Sequence, residues 1–304
     1  MSASNIKEIT VLAPAKVNLF LHIVGRRPDG YHLLESLFAF ADIGDKLTLK
    51  KAKDISFKVS GPFKEICQRA GCDGEGNLVF KAATELAKIS SGKGAEITLE
   101  KNLPLSAGLG GGSSDAAAVL KGLQILWETE VDEDALFNLA LDLGADVPAC
   151  LLGGACFVAG IGEEITPLEE FEDLEVVLVN PKRPLSTPQV FKSFMEANRP
   201  FTPPLDLTPD INESQERLIT ETHNDLQGPA IALTPDVAKI LGALEGCDGN
   251  VLARMSGSGA SCFGVFENRG QSEKATAWLA REHPKWWVAE TRLSKRAPFL
   301  LFSG

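Results

Sequence analysis

The sequence predicts an α+β protein of two domains, and three observations predict it. Its 304 residues exceed what one hydrophobic core usually organises. With 44% apolar and 23% charged residues, the composition is that of an ordinary globular protein. Strand-type alternation and helix-type spacing are interleaved without the regular βαβ rhythm of a doubly wound sheet.

In chain order, "EITVLAPAKVNLFLHIVG" and "DKLTLKKA" alternate apolar and polar side chains as strands do, and the Pro-Asp-Gly of "RRPDGYH" between them reads as a turn. "ISFKVSG" is a third strand candidate. "NLVFKAATELAKISS" has helical spacing, with Asn77 placed to cap it. "GAEITLEKNLP" reads as a strand ending at Pro104. The spacing then predicts a helix over Asp115 to Trp127, and a second over "DEDALFNLALDLG" that stops at Gly144. "ACFVAGIGEEITPL" reads as a hairpin. "LEVVLVNPKRPLSTPQVFKSFM" passes from a buried strand through a Pro-rich turn into a helix beginning near Thr187. Residues Arg199 to Asp210, with four prolines, read as an exposed loop. "PDVAKILGALEG" and "SEKATAWLARE" are helical, and "VLARMSGSGASCFGVF" pairs two strands about a glycine turn. No internal repeat or low-complexity tract interrupts this order.

Composition narrows the function. The balance of 30 basic against 41 acidic residues, a net charge of −11, argues against broad nucleic-acid binding while leaving room for a local basic site around a small anion. No apolar run approaches the ~20 residues of a membrane span, and the N-terminus lacks the pattern of a secretion signal. The six cysteines form no C-x-x-C pair and have no nearby histidines, so the expectation is buried, reduced thiols in a cytoplasmic protein without a zinc site.

The stretch "LPLSAGLGGGSSDAAAVL" carries the strongest signal, with four glycines between Gly108 and Gly112 directly before a helix. It fits neither the P-loop pattern nor G-x-G-x-x-G, because Ser113 stands where those patterns need lysine-serine or glycine. A helix start exposes unpaired N–H groups at the positive end of its dipole, and glycines let the backbone wrap an anion without a Cβ in the way. Ser113 and Ser114 are placed to cap the helix or to offer hydroxyls to phosphate or to a metal-bound water. A plain flexible turn would be the alternative, but so many glycines carry a large conformational-entropy cost.

The loop resembles the nucleotide loop of the galactokinase, homoserine kinase, mevalonate kinase and phosphomevalonate kinase (GHMP) superfamily. "PAKVNLFLHIVGRRPDGYHLLESLF", "LGADVP" and "MSGSGASCF" agree in order with the branch acting on a cytidine-diphosphate-linked methylerythritol. The resemblance implies the two-domain GHMP-kinase fold: an N-terminal ribosomal protein S5 domain 2-like part over residues 1–165, and a C-terminal ferredoxin-like α/β sandwich over 166–304, with the active site in the cleft between them. It implies ATP as phosphoryl donor, bound by Pro104, Leu105, Ser106, Ala107, Gly108, Leu109, Gly110, Gly111, Gly112, Ser113 and Ser114, with Asn77 and Lys101 near the adenine. Mg2+ follows from ATP, with no acidic cluster to identify protein ligands and the phosphates and water as its main holders.

A kinase must bring a γ-phosphate in line with a hydroxyl and offset the charge that develops. Most lysines simply reach solvent, but Lys16 has apolar neighbours on both sides and matches the family's catalytic lysine. Asp146 could be no more than a turn or helix cap; the resemblance makes it the general base, kept ionised by Lys16. Tyr31, the only tyrosine, and His32 follow the turn. Ordinary packing is the usual role of such an aromatic, whereas the resemblance implies that Tyr31 stacks on cytosine, His32 reads its polar edge and Phe191 covers the other face, with Thr187 nearby. Asn18 is expected at the methylerythritol hydroxyls. His22, His223 and His283 are expected to be structural, and Gly257 and Gly259 to line the cleft in support. Asp115 is left open between capping the helix, meeting the metal and facing away. The implied reaction is phosphorylation of the 2-hydroxyl of the small-molecule acceptor. The rivals are a homoserine- or mevalonate-type kinase and a non-catalytic nucleotide sensor.

Overall fold

A computed structural model of the chain describes residues 6–90, 93–205, 215–296 and 298–303. Its strands are β1 (Glu8–Arg26), β2 (His32–Ala52), β3 (Ser56–Ser60), β4 (Gly94–Glu100), β5 (Cys156–Gly160) and β6 (Glu164–Pro167), followed by β7 (Leu174–Asn180), β8 (Asn250–Met255), β9 (Cys262–Phe266), β10 (Trp287–Ser294) and β11 (Leu300–Ser303). The helices are α1 (Lys64–Arg69), α2 (Leu78–Ile89), α3 (Gly111–Trp127), α4 (Glu133–Leu143) and α5 (Val147–Leu152) in the first half. In the second half they are α6 (Thr187–Glu196), α7 (Gln215–Thr220), α8 (Gln227–Leu233), α9 (Asp236–Glu245) and α10 (Arg269–Glu282).

The long β1–β2 hairpin organises the molecule. One end of β2 pairs with β4, and β3 lies parallel to β4; the other end pairs with β5, and thence β6. At Phe40 and Ala41, β2 also meets β10, which leads on through β7 and β9 to β8. Described strands therefore form one sheet with a two-residue junction at its middle. Three apolar clusters cover it. Helices α2 and α3 pack Leu86, Leu120 and Leu123 against Ile9, Leu47 and Leu49. Phe20, Leu37, Phe157 and Phe263 fill the middle, and α6, α9 and α10 pack Phe194, Ile240 and Leu279 over β7 and β9 at the far end.

The expected elements are present, with corrections. The first half of β2, "HLLESLFAFADIG", is strand although only its second half alternates, because the stretch from Glu35 to Ala41 is buried on both faces and has no polar side to reveal. β10 and β11 were not anticipated. β4 stops at Glu100 rather than Pro104, where Asp45 turns the chain: its Oδ1 accepts from the N–H of Asn102 at 2.5 Å and of Leu103 at 2.8 Å. The thiol expectation fails at Cys67 and Cys72, which the turn after α1 brings to a Cα separation of 5.2 Å as a disulfide; Cys150, Cys156, Cys247 and Cys262 are free. Of the expected loop from Arg199 to Asp210, residues 199–205 are irregular, and the rest lies outside the described residues.

A buried charge cluster sets α3 on the sheet. The Lys101 ammonium bridges Asp45 Oδ2 and Asp115 Oδ2, the latter at 2.9 Å, while Asp115 Oδ1 has no partner. One ammonium cannot offset two carboxylates out of water: burial, reinforced by Asp45, raises the Asp115 carboxyl against the pull of Lys101. Asp115 thus keeps a proton at pH values where the unfolded chain has released it, and through this group stability falls as pH rises from about 4 toward the raised folded value. The Lys101→Met protein should lose about 3–5 kcal/mol, since two buried carboxylates lose their partner. Asp115→Asn should cost no more than about 1 kcal/mol and flatten that slope. Urea unfolding at about pH 5 and about pH 8 tests both.

Candidate active site

The glycine loop takes three left-handed positions in five residues, at Ser106 (φ 48°), Gly108 (φ 73°) and Gly110 (φ 60°). A Cβ on Gly108 would lie 2.2 Å from the Ser256 carbonyl oxygen, and one on Gly110 would lie 2.8 Å from Lys16 Cε. The glycines therefore serve close approach to two distant segments as well as the turn itself. Helix α3 begins at Gly111, four residues earlier than expected, with Gly110 as its N-cap and no side chain capping it. The expectation that Ser113 or Ser114 caps the helix is thereby corrected, since both lie inside its first turn. Packing of the apolar face from Ala116 onward outweighs the poor helix propensity of two glycines. The first intrahelical bond runs from Ser114 N to Gly110 O at 2.8 Å, so the N–H groups of Gly111, Gly112 and Ser113 have no helical acceptor.

The β1–β2 register slips between Pro14 and Lys16 and again between Asn18 and Phe20. Such bulges re-aim side chains, and of the three residues between the slips the outer two, Lys16 and Asn18, meet. Lys16 Nζ lies 2.8 Å from Asn18 Oδ1, 3.0 Å from Asp146 Oδ2 and 4.0 Å above the Phe38 ring. The lysine is 4% exposed and the Asp146 side chain 37%. Asp146 occupies the N-cap position of α5, yet its carboxylate makes no capping bond and turns to Lys16. The cap alternative is thus removed. Asn18 ties three segments together: besides accepting from Lys16, its amide donates to Ser36 Oγ at 2.9 Å and its N–H to Ser256 Oγ at 3.0 Å.

Sequence reasoning missed the polar fasteners. Ser256 Oγ donates to Gly108 O at 2.7 Å, and Ser261 N–H donates to Ala107 O at 3.0 Å, so the second glycine turn clasps the first. Asn224 secures that turn by donating to Met255 O at 2.7 Å and Gly257 O at 2.8 Å. "SGSGAS" hinted at a turn, but nothing in it indicated a partner some 150 residues earlier.

One cavity of about 1240 Å³ collects Lys16, Asn18, Asp146 and the loop from Pro104 to Ser113, with Asn77 and Lys101, and extends to Tyr31, His32, Thr187 and Phe191. Ser114 does not line it, because a helix turns about 100° per residue and carries its side chain to the opposite face of α3. Lys101 reaches the edge with its ammonium already bound. Asn77 spends its amide on structure, accepting from Val79 N at 2.8 Å and donating to Cys72 O at 2.6 Å. At the far end Tyr31 is 62% exposed. His32 stacks on Phe191 with centroids 4.9 Å apart, so that ring's near partner is the histidine. Burial, aided by Arg26, lowers the His32 pKa and favours the neutral imidazole, and its buried Nε2 has no partner. Thr187 Oγ1 lies 2.7 Å from Ser258 Oγ. His22 does not line the cavity; its ring is tilted by 42° against that of His223, with centroids 4.5 Å apart.

Sequence and fold both have relatives among known proteins. The family models for the GHMP kinases N-terminal domain and the GHMP kinases C-terminal match residues 77–154 and 209–285. A 4-diphosphocytidyl-2-C-methyl-D-erythritol kinase of Chelativorans sp. is 42% identical over 96% of this chain and 99% of its own, and one of Paramagnetospirillum magneticum is 45% identical over 93% and 98%. A solved 4-(cytidine 5'-diphospho)-2C-methyl-D-erythritol kinase superposes with a TM-score of 0.76 at 35% identity, over 94% of this chain and 99% of that one. The homoserine kinase of Cytophaga hutchinsonii, at 18% identity and a TM-score of 0.70 over 99% of each chain, shares the fold. The chain belongs to the GHMP kinases, within the family of the 4-diphosphocytidyl-2-C-methyl-D-erythritol kinases.

Proposed function

We propose that the protein transfers the γ-phosphoryl group of ATP to the 2-hydroxyl of 4-diphosphocytidyl-2-C-methyl-D-erythritol, giving the 2-phosphate and ADP, in non-mevalonate isoprenoid precursor synthesis. The observation that carries this reading is the Lys16–Asp146 pair, 3.0 Å apart in the same cavity as the uncapped start of α3. The three unpaired N–H groups and the helix dipole receive the phosphate chain. Asp146 Oδ takes the hydroxyl proton as that oxygen forms its bond to the γ-phosphorus and the bond to the β-phosphate oxygen breaks. Lys16 offsets the charge developing there, and Asn18, which lines the same cavity, positions it while facing the methylerythritol hydroxyls. The backbone of residues 1–165 holds nucleotide and base, and residues 166–304 supply the clasp and the wall around Thr187 and Phe191.

Magnesium would arrive with the nucleotide. Among the described residues no group of three His, Cys, Asp or Glu is gathered to hold a metal, so phosphate and water oxygens are its natural ligands, with Asp146 the nearest unburied carboxylate on the Lys16 side. The metal's part is to neutralise phosphate charge.

The opposite end of the cavity suits the cytidine. Tyr31 offers a free aromatic face, and the unpartnered His32 Nε2 can meet a polar edge of the base. No helix among the described residues is long and apolar enough to cross a membrane, and the cytoplasm is the compartment this reading implies.

The Asp146→Asn enzyme should bind ATP analogues normally while kcat falls by about 10²–10⁴-fold; an unchanged kcat would remove the aspartate from the reaction. Tyr31→Ala should raise KM for the cytidine substrate roughly tenfold, as loss of a stacking face worth about 1–3 kcal/mol implies, with little change in KM for ATP. Steady-state assays varying each substrate separate the two effects.

A further inference from the structure

Behind the active site, against the opposite face of α3, lies a second cavity of about 420 Å³. Ser114, Ala118 and Lys121, spaced four and three residues apart, present one side of the helix to it. Three cations line it, Lys121, Lys295 and Arg296, and among the described residues no acidic one does. In a chain of net charge −11, that gathering runs against the composition.

The cations are aimed by the fold. Gly153 and Gly154 follow α5, and a Cβ on the first would lie 3.3 Å from Lys121 Nζ, one on the second 3.9 Å from Arg296 Cγ. Both basic side chains therefore close on a single Gly-Gly step, where the absence of side chains leaves room. Backbone pairing fixes the C-terminal segment beside it: Gly154 bridges Arg296, and Ala155 N–H donates to Lys295 O at 2.9 Å. Lys295 Nζ donates to the Glu169 carbonyl. Lys121 stands 5.3 Å from the Phe299 ring centroid, and among the described residues no carboxylate pairs with it or with Arg296. Burial lowers the Lys121 pKa, the mark of a cation kept from water without a full counter-charge. The remaining walls are apolar, among them Leu12, Leu152, Leu168 and Phe299.

We propose that this cavity is a second ligand site, which takes a small phosphate- or diphosphate-bearing molecule with a short apolar portion. The phosphoryl oxygens meet Lys121 and Arg296 over the Gly-Gly step, and the hydrocarbon part lies against the leucines and Phe299. A volume in the lower part of the ligand-pocket range, about 300–1,000 Å³, suits a molecule of that size and excludes a whole nucleotide-linked substrate.

The test is titration calorimetry on the full chain with its active site saturated by a non-hydrolysable ATP analogue and a cytidine diphosphate ligand. Inorganic phosphate, inorganic diphosphate and 3-methylbutyl phosphate are the probes. One equivalent of 3-methylbutyl phosphate should bind, more tightly than inorganic phosphate. A Lys121→Gln/Arg296→Gln protein should bind it at least roughly tenfold more weakly. Leu152→Glu, at a largely exposed position where folding tolerates the change, should do the same by placing a carboxylate at the mouth. Kinase activity without the probe should stay within about twofold in all variants, since none of these side chains lines the catalytic cavity. No binding to the saturated protein, or unaltered affinity in both variants, would overturn the site. Equal affinity for inorganic phosphate and its alkyl ester would overturn the apolar half of the assignment.

Discussion

Lys16 keeps a full positive charge almost entirely out of water, and the rest of the site is arranged around that constraint. An isolated buried ammonium would be strongly unfavourable; this one is offset by Asp146, by the Asn18 oxygen and by the face of Phe38. Its stem runs so close to Gly110 that any side chain there would collide with it, and its N–H donates to Leu109 O at 2.9 Å. The glycine turn is thus moulded on Lys16. A change in either one displaces the other, because the two share both a backbone hydrogen bond and van der Waals contact.

The second buried lysine shows how differently the same residue can be used. Lys101 is held by Asp45 and by the Asp115 carboxyl group, so its charge is matched and its hydrogen bonds are taken up within the fold. Lys16 has one half-buried carboxylate, and that partner can exchange its attention between the ammonium and an incoming hydroxyl. The first arrangement favours rigidity at the root of α3. The second leaves an ammonium and a carboxylate in contact with the cavity. In the sequence Lys16 lies between Ala15 and Val17 and Lys101 between Glu100 and Asn102; it is the partners, brought from Asp45, Asp115 and Asp146, that set their roles apart.

That contrast also marks how far the sequence could be read. Capped helices such as α2 with Asn77 and α4 ending at Gly144 were legible because their signals are local. So were the glycine loop and, through the family resemblance, Lys16 and Asp146. The buried half of β2 was hidden because a strand covered on both faces loses its alternation, and β10 because its place is set by β2 and β7, not by its own pattern. Within the site, what the sequence could not show is the tertiary partners of the polar side chains. Asn18 reads as a ligand-binding amide, and the fold adds that it also joins Lys16 to Ser36. Ser114 looks like a phosphate donor until the earlier helix start rotates it away. Spacing along a chain reports the period of an element, and it cannot report where that element begins when tertiary packing overrides propensity.

The clasp between the two glycine turns carries the synthesis one step further. Ser256 accepts from Asn18 on one side and donates to the loop at Gly108 on the other, so one hydroxyl registers β1, the loop and β8 together. A hydroxyl suits this place physically, since it both gives and accepts a hydrogen bond and brings no charge. A lysine there would compete with Lys16 for the phosphate, and a carboxylate would repel it. The C-terminal half thus reaches the loop through an uncharged group: Ser256 fixes the Gly108 carbonyl just ahead of the start of α3, and no charged side chain from that half lines the cavity among the described residues. Because Ser256 is 238 residues from Asn18 and 148 from Gly108, this geometry exists only once both halves of the chain have packed on the β1–β2 hairpin, and catalytic competence is tied to completion of the fold.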